Sequence, residues 1–290
     1  MSALVQGGVE RLATGFSFTE GPAWLAEHGC LLFTDIPGNA ILRWDGDGVS
    51  TWLENAHFAI GLTRDRQGRV LSCEHSTRCL AAHDIGADGM PAARTVLARA
   101  HAGRVLNSTN DVICTSDGTV LFTDPPFGVR TLEGALHGYQ QAQEIVGAFV
   151  FAVGDTPETP RPLVTEIYRP NGLCLSPDER VLYVSDSSTT HHKVIAMDHA
   201  GGAASGLRDF AVMPAGVPDG MRVDEAGRLW VAGGDGVHVW DARGEPVAHV
   251  PVPEMVTNLE FGGPELSDLY ITATSSLYRV RTTTRSGRAW

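Results

Sequence analysis

Residues 171–186, NGLCLSPDERVLYVSD, carry the pattern that decides the fold. A short apolar strand is followed by a turn at Pro177 and Asp178, and then by a second apolar strand that ends in Ser-Asp. Six units along the chain share this second strand, and three of them end in Thr-Asp or Ser-Asp. These strands are CLLFTD (30–35), RVLSCE (69–74), TVLFTD (119–124), RVLYVSD (180–186), RLWVAG (228–233) and DLYITA (268–273).

The repeat predicts an all-β fold, a six-bladed β-propeller with four-stranded blades. The units follow one another at intervals of about 40 to 60 residues, which is typical of propeller blades. A β-sandwich or a barrel is the alternative, but neither accounts for the similarity between units. We expect a single domain over residues 1–290, in which an N-terminal strand at 9–14 completes the last blade and closes the ring.

Each unit places one residue at the same distance ahead of its shared strand. In a propeller, equivalent positions on successive blades form a ring around the central axis. This ring consists of Glu20, Ile60, Asn110, Asn171, Asp219 and Asn258. Five of the six side chains carry oxygen, although the residues that follow them are largely apolar.

The ring residues predict a metal site in the central tunnel. Two carboxylates and several amide oxygens that converge on one axis are unfavourable unless a positive charge neutralises them. Oxygen ligands favour hard cations such as Ca²⁺, Mg²⁺ or Mn²⁺, and Zn²⁺ and Fe²⁺ also accept them. The alternative at any one position is a polar side chain that only bonds to neighbouring backbone.

Composition excludes several classes of partner. The formal net charge of −12 argues against binding to nucleic acid or to anionic lipid. No stretch is apolar enough to cross a bilayer, and the N-terminus lacks the pattern of a secretory signal, so we expect a cytoplasmic protein. The five cysteines include no CxxC pair, and we expect them to be reduced and buried.

Five motifs together resemble the SMP-30/gluconolactonase/LRE family. They are EGPAW (20–24), NSTNDV (107–112), FTDPPFG (122–128), RPNGLCLSPD (169–178) and VPDGMRVDEAGRLWVA (217–232), and they span nearly the whole chain in order. The resemblance implies a six-bladed propeller with one divalent cation in the tunnel. It also implies hydrolysis of a small lactone, above all an aldonolactone such as a gluconolactone.

The resemblance also implies roles for individual residues. Glu20, Asn171 and Asp219 match the family's metal ligands, and Asn110 either completes the metal shell or binds substrate. Asp219 is the expected general base of a reaction in which the cation polarises the lactone carbonyl and activates water. Ser108 stands where aldonolactone-hydrolysing members often have Arg, which leaves the sugar contacts open.

Two further segments are candidates for substrate contact. Glu74 belongs to EHSTR, which is similar to a family segment; a structural salt bridge is the alternative to substrate binding. Residues 130–147 form an insertion in the third unit that contains His137, and we expect it to be either a lid that contacts substrate or a plain surface loop.

Three other functions are compatible with the same fold. An open metal site also suits an esterase or an organophosphate hydrolase, and many propellers bind protein partners without catalysis. A metal-free propeller that resembles strictosidine synthase would not need Glu, Asn and Asp at the ring positions. In every enzymatic case the partner is a small molecule, and we expect a monomer or a small homo-oligomer.

Overall fold

The computed structural model describes residues 3–129, 141–154 and 156–288, and its regular structure is almost entirely β-strand. Within these residues, six antiparallel sheets of four strands each are arranged as the blades of a β-propeller. The predicted all-β, six-bladed fold is therefore confirmed. Two short 3₁₀ turns, Ala26–His28 and Pro126–Gly128, interrupt the strands.

The strands are numbered along the chain, beginning with β1 (Val5–Thr14), which precedes blade 1. Blade 1 contains β2 (Thr19–Leu25), β3 (Cys30–Asp35), β4 (Ala40–Trp44) and β5 (Val49–Glu54). Blade 2 contains β6 (Ala59–Arg64), β7 (Val70–Glu74), β8 (Cys79–Ile85) and β9 (Pro91–Ala98). A small two-stranded sheet follows, with β10 (Ala100–His101) and β11 (Arg104–Val105).

The second half of the chain repeats the arrangement. Blade 3 contains β12 (Val112–Cys114), β13 (Val120–Asp124), β14 (Phe149–Val153) and β15 (Arg161–Val164). Blade 4 contains β16 (Pro170–Leu175), β17 (Val181–Asp186), β18 (Lys193–Ala200) and β19 (Ala203–Val212). Blade 5 contains β20 (Met221–Val223), β21 (Leu229–Gly233), β22 (Gly236–Trp240) and β23 (Pro246–Pro251). Blade 6 contains β24 (Val256–Gly262), β25 (Asp268–Ala273) and β26 (Ser276–Thr282), with β1 as its outer strand.

Aspartate side chains shape the turns between the first and second strands of several blades. In blade 2, Asp65 Oδ1 accepts hydrogen bonds from the backbone N–H groups two and four residues later, at 2.9 and 2.8 Å. In blade 5, Asp224 Oδ1 makes the same two contacts at 3.0 Å. Gly68 and Gly227 complete these turns with positive φ angles of 81° and 76°. The Asp and Gly signals that mark the repeat in the sequence are therefore turn residues.

The apolar core lies between neighbouring blades. Leu71 of blade 2 packs in one cluster with Phe122 of blade 3, and Trp230 of blade 5 packs edge-on against Phe261 of blade 6 at 5.7 Å between ring centroids. Both faces of each blade are covered in this way, which explains why second strands such as β3, β7 and β13 are buried along their whole length.

A C-terminal segment crosses the end of the tunnel that lies opposite the ring residues. Gly287 donates its N–H to the Val223 carbonyl oxygen at 2.9 Å. Arg288 donates to Thr63 Oγ1 at 3.1 Å and to the Arg64 carbonyl oxygen at 3.0 Å. The segment therefore links blade 5 to blade 2 across this end of the propeller.

Two expectations from composition concern cysteines and membranes. All five cysteines are buried and form no disulfide, as predicted. Residues 3–129, 141–154 and 156–288 include no helix with the length and apolarity needed to cross a membrane.

Candidate active site in the central tunnel

The ring residues all lie where the innermost strand of a blade begins. Four of them are the second or third residue of an inner strand: Glu20 in β2, Ile60 in β6, Asn171 in β16 and Asn258 in β24. Asn110 and Asp219 lie two positions before the first residues of β12 and β20. Glu20 and Asn110 are each only 5% exposed. Asn171 and Asp219 keep more of their surface accessible. The predicted ring is thus a group of polar side chains at one end of the tunnel.

Glycines that follow ring residues let the inner strands approach one another closely. A Cβ atom on Gly21 would lie 1.9 Å from the Ile60 carbonyl oxygen, and Gly21 also has a positive φ angle of 50°. A Cβ atom on Gly172 would lie 2.2 Å from the Asp219 carbonyl oxygen. Any side chain at these positions would push neighbouring blades apart. The close packing of the inner strands therefore requires the glycine that follows Glu20, Ile60 and Asn171.

Hydroxyl groups of one blade hold the backbone of the ring residue on the next blade. In each case a Thr or Ser of a second strand donates to the carbonyl oxygen of the ring residue on the next blade. The pairs are Thr34 with Ile60 at 3.0 Å, Thr123 with Asn171 at 2.8 Å and Ser185 with Asp219 at 2.5 Å. These are the hydroxyl residues of the recurring Thr-Asp and Ser-Asp endings.

The aspartates of the same endings hold the segments that lead into the inner strands. Asp35 accepts the backbone N–H of Phe18 at 3.0 Å, and Asp124 accepts that of Asn107 at 2.8 Å. Asp186 accepts the N–H of Arg169 at 3.3 Å. Each Thr-Asp or Ser-Asp ending therefore supports the tunnel entrance twice, through its hydroxyl and its carboxylate.

The polar side chains of the ring contact one another in sequence. Asn258 donates to Glu20 Oε2 at 2.9 Å, and the backbone N–H of Gly21 donates to the same oxygen at 2.7 Å. The Asn110 amide donates to Asn171 Oδ1, and Asn171 in turn is hydrogen-bonded to Asp219. The structure therefore brings the predicted metal ligands Glu20, Asn171 and Asp219 together with Asn110, while their roles stay predictions.

Burial disfavours the charged forms of both ring carboxylates. It raises the pKa of Glu20 to about 7, although the hydrogen bonds from Gly21 and Asn258 act in the opposite direction. Burial also raises the pKa of Asp219 well above its usual value, and the negative charges of Glu20 and Asp111 add to this effect. A positive charge between the carboxylates would relieve both penalties.

The donor set fits a divalent cation. Two carboxylates supply charge and the Asn171 amide supplies a neutral oxygen, which is the ligand chemistry of a hard cation. The predicted ligand set does not include Asn258, whose Oδ1 accepts the N–H of Leu259 at 2.9 Å. Its amide group instead orients Glu20, as outer-shell residues of metal sites commonly do.

Asp111 and the Arg222–Glu260 ion pair lie deeper in the tunnel, and the sequence pattern did not predict either of them. Asp111 directly follows a ring residue, at the position where four other units have glycine. It is buried, and burial raises its pKa. The Arg222 guanidinium, which counteracts this shift, forms an ion pair with Glu260 at 2.9 Å. The pair lies roughly 7–10 Å beyond the ring along the strands. The sequence feature that could have indicated Asp111 is the stretch NDV (110–112), where an acidic residue stands in place of the glycine of other units.

Glu74 makes contacts that favour a structural role. Its carboxylate is 1% exposed and forms an ion pair with Arg94, with one contact at 2.9 Å and another at 2.5 Å. Thr77 also donates to this carboxylate. Burial alone would raise the pKa of Glu74, but the hydrogen bonds from Arg94 and Thr77 lower it below its usual value. Substrate binding by Glu74 stays a prediction.

Of the insertion at 130–147, the structure describes residues 141–147. His137, a predicted substrate contact, lies outside the described residues. Glu144 forms an ion pair with buried Arg78 at 3.4 Å, and Arg78 also donates to the Leu106 carbonyl oxygen at 2.6 Å. The described end of the insertion is therefore anchored beside the segment that leads to Asn110. Ser108 in that segment donates to the Pro125 carbonyl oxygen at 2.6 Å.

The chain is similar to several characterised proteins. The profile of the SMP-30/gluconolactonase/LRE-like region matches residues 18–275. A gluconolactonase from Zymomonas mobilis is 30% identical, over 95% of this chain and 82% of that protein. A pentonolactonase from Haloferax volcanii is 29% identical, over 87% of this chain and 80% of that protein. A solved structure of a gluconolactonase from Xanthomonas campestris has a TM-score of 0.87 and 33% identity, and the match covers 97% of this chain and 91% of that one.

Proposed function

Because the chain belongs to the SMP-30/gluconolactonase/LRE-like family, we propose that it is a lactonase that depends on a divalent cation and opens a small sugar lactone. The named relatives act on gluconolactone and pentonolactone, which supports an aldonolactone as the substrate class. The observation that carries the proposal is the convergence of Glu20 and Asp219 in one tunnel mouth with raised pKa values.

Glu20, Asn171 and Asp219 would hold the cation, with Asn110 beside them. A cation bound there supplies Lewis acidity towards the lactone carbonyl and lowers the pKa of water. Glu20 is suited to holding rather than proton transfer, because Gly21 and Asn258 both donate to its Oε2 and it is almost fully buried. Its position is thereby fixed before substrate arrives.

Asp219 is suited to move the proton. It keeps part of its surface accessible to the tunnel mouth, and Ser185 fixes its backbone. Asp219 would accept a proton as water attacks the carbonyl carbon, and return it to the ring oxygen as the C–O bond breaks. The product is the open hydroxy acid. Asn171, hydrogen-bonded to Asp219, would hold the carboxylate in place for both transfers.

A proton-release assay on a panel of lactones tests the proposal. The panel contains glucono- and pentonolactones and an unsubstituted lactone, and the enzyme is treated with chelator before Ca²⁺, Mn²⁺, Mg²⁺, Zn²⁺ or Fe²⁺ is added back. We expect sugar lactones to be preferred, activity to vanish on chelation, and one or more cations to restore it. Full activity in chelated protein that contains no metal by elemental analysis would overturn the cation dependence.

Asp219→Asn provides the test of the catalytic residue. We expect turnover to fall by at least about 100-fold, because general base catalysis typically contributes that much. Asp178→Asn is the matched control, since Asp178 is an exposed aspartate at the opposite end of a neighbouring blade. Near-normal turnover by folded Asp219→Asn would remove Asp219 from the mechanism.

A further inference from the structure

We propose that Asp235, His238 and His249 form a second metal site, which binds a transition-metal dication such as Zn²⁺. The three residues lie on blade 5, outside the tunnel. Asp235 is in the turn between β21 and β22, His238 is in β22 and His249 is in β23. One ligand atom from each residue can be chosen so that all three lie within 4.8 Å of one another.

Both imidazoles lie beside Asp235, and His249 Nε2 is hydrogen-bonded to the Asp235 carbonyl oxygen at 3.3 Å. His238 Nε2 lies 2.7 Å from Asp235 Oδ1, and His249 Nε2 lies 3.6 Å from it. The two rings stack with their centroids 4.4 Å apart and their planes 19° from parallel. Two nitrogen donors and one oxygen donor therefore lie side by side, and a tilt of the stacked rings would direct both nitrogens at a cation beside the carboxylate.

The strand register holds this arrangement in place. His238 and His249 are direct partners in the antiparallel pairing of β22 and β23, so their side chains leave the sheet on the same face. Gly236 has a positive φ angle of 143°, and a Cβ atom there would lie 2.9 Å from His249 Nε2. A glycine at this position thus keeps space open beside the donor atom.

The donor set selects the class of metal. Imidazole nitrogen suits Zn²⁺, Ni²⁺, Cu²⁺ and Co²⁺, whereas Ca²⁺ and Mg²⁺ prefer oxygen alone. The side chains of Asp235 and His249 are 48% and 38% exposed, while that of His238 is 10% exposed. The site is therefore open to solvent on one side, where water would complete the coordination of an exchangeable ion.

This site is separate from the tunnel ring. Asp219 pairs through its backbone with Ala232 of β21, and His249 lies on β23, two strands farther out. Three strand spacings from the innermost strand amount to roughly 14 Å, which is too far for the paired ions of a two-metal catalytic centre. The two sites do share one end of blade 5, because Gly234 donates its N–H to the Ala215 carbonyl oxygen, four residues before Asp219.

Calorimetric titration with Zn²⁺ tests the inference without any activity measurement. The full chain first carries Glu20→Gln and Asp219→Asn, which remove both carboxylates of the tunnel ring. We expect one Zn²⁺ to bind per chain, and we expect His249→Ala in this background to weaken binding by at least about tenfold. If the double variant does not fold, the unaltered chain is titrated with Zn²⁺ in excess Ca²⁺, which is expected to occupy the oxygen ligands of the tunnel ring.

His191→Ala is the matched control. His191 is also an exposed histidine beside an aspartate, with Nδ1 2.9 Å from Asp186 Oδ2, but its pair is not part of a three-donor group in the described chain. We expect this variant to bind Zn²⁺ as its parent does. Absence of Zn²⁺ binding, or equal affinity in the His249→Ala variant, would overturn the second site. Neither result bears on lactone hydrolysis in the tunnel.

Discussion

The Thr123 hydroxyl group donates a hydrogen bond to the Asn171 carbonyl oxygen at 2.8 Å, and this bond joins blade 3 to a predicted metal ligand on blade 4. Thr123 Oγ1 also accepts the backbone N–H of Asp111 at 3.0 Å. One hydroxyl group therefore fixes the backbone on both sides of the blade boundary. The position of Asn171, a predicted metal ligand, therefore depends on a residue of the neighbouring blade.

Thr123→Val tests this dependence. The valine keeps the shape but leaves two buried backbone groups without their partner, which costs about 1–3 kcal/mol of unfolding free energy for each. We expect metal affinity, measured by calorimetry on chelated protein, to fall about tenfold as Asn171 shifts. Thr34→Val is the control, because Thr34 makes the same bond to the Ile60 carbonyl oxygen and the Ile60 side chain has no ligand atom. Equal losses of affinity in the two variants would contradict the prediction.

Asn258→Leu tests the support of Glu20. Leucine has a similar volume, but it cannot donate to Glu20 Oε2 as Asn258 does at 2.9 Å. We expect the affinity for the activating cation to fall about 10–100-fold, which is the usual effect of losing an outer-shell partner. Calorimetric titration of the chelated variant measures this. Unchanged affinity in a variant with a native thermal transition would exclude Asn258 from the site.

Asp124→Asn tests a pH dependence of stability. Asp124 is fully buried, and burial raises its pKa from 3.8 to about 7. Between these values the unfolded chain has released the proton that the folded protein retains, so the free energy of unfolding falls as pH rises through this window. The loss is at most about 4 kcal/mol and is complete above pH 7. It should be smaller in Asp124→Asn, which keeps an oxygen for the N–H of Asn107 but has no proton to lose.

Urea unfolding at several pH values between 4 and 8, with chelator throughout, measures this difference. Comparing the two proteins at each pH removes the contribution of all other titrating groups that they share. The difference in unfolding free energy between the two proteins should change with pH up to about 7 and stay constant above it. Curves that stay parallel across the whole range would show that Asp124 does not hold its proton in the folded state.

Arg94→Met tests the role of Glu74. The variant leaves the buried Glu74 carboxylate without the Arg94 guanidinium. We expect the free energy of unfolding to fall by about 3–5 kcal/mol, which is typical when a buried ion pair loses one partner. Adding Glu74→Gln to Arg94→Met should recover much of this loss. If Glu74 is structural, the folded double variant keeps the KM for lactone of the unaltered enzyme. A KM raised about tenfold in the double variant would instead restore Glu74 as a substrate-binding residue.

The sequence was sufficient for the fold and for the identity of the ring, because both depend on repetition. The second strands, their turns and the residue ahead of them recur six times, so Glu20, Asn171 and Asp219 could be aligned without coordinates. The recurring Thr-Asp and Ser-Asp endings were visible as well. Their partners were not, because each hydroxyl group acts on a residue of the next blade.

Residues that break the repeat were harder to interpret. Asp111 replaces a glycine in a single unit, and its burial becomes evident only once the blades converge. His238 and His249 are eleven positions apart in the chain, and only the register of β22 with β23 makes them neighbours. By contrast, His191 and His192 are adjacent in the sequence, and His191 contacts Asp186. Contacts across strands depend on register, which composition does not encode.

The pairing of β1 with β26 has a consequence for how the chain folds. Val5 lies opposite Thr282 and Thr14 lies opposite Ser276, so blade 6 joins residues that are almost the whole chain apart. At a synthesis rate of about 5–20 residues per second, β1 would wait roughly 15–55 s on the ribosome before β26 exists. During that interval its edge is unpaired and open to pairing with other chains. Ring closure is therefore a late event, and the yield of native protein should depend on how well the nascent N-terminus is kept from such contacts.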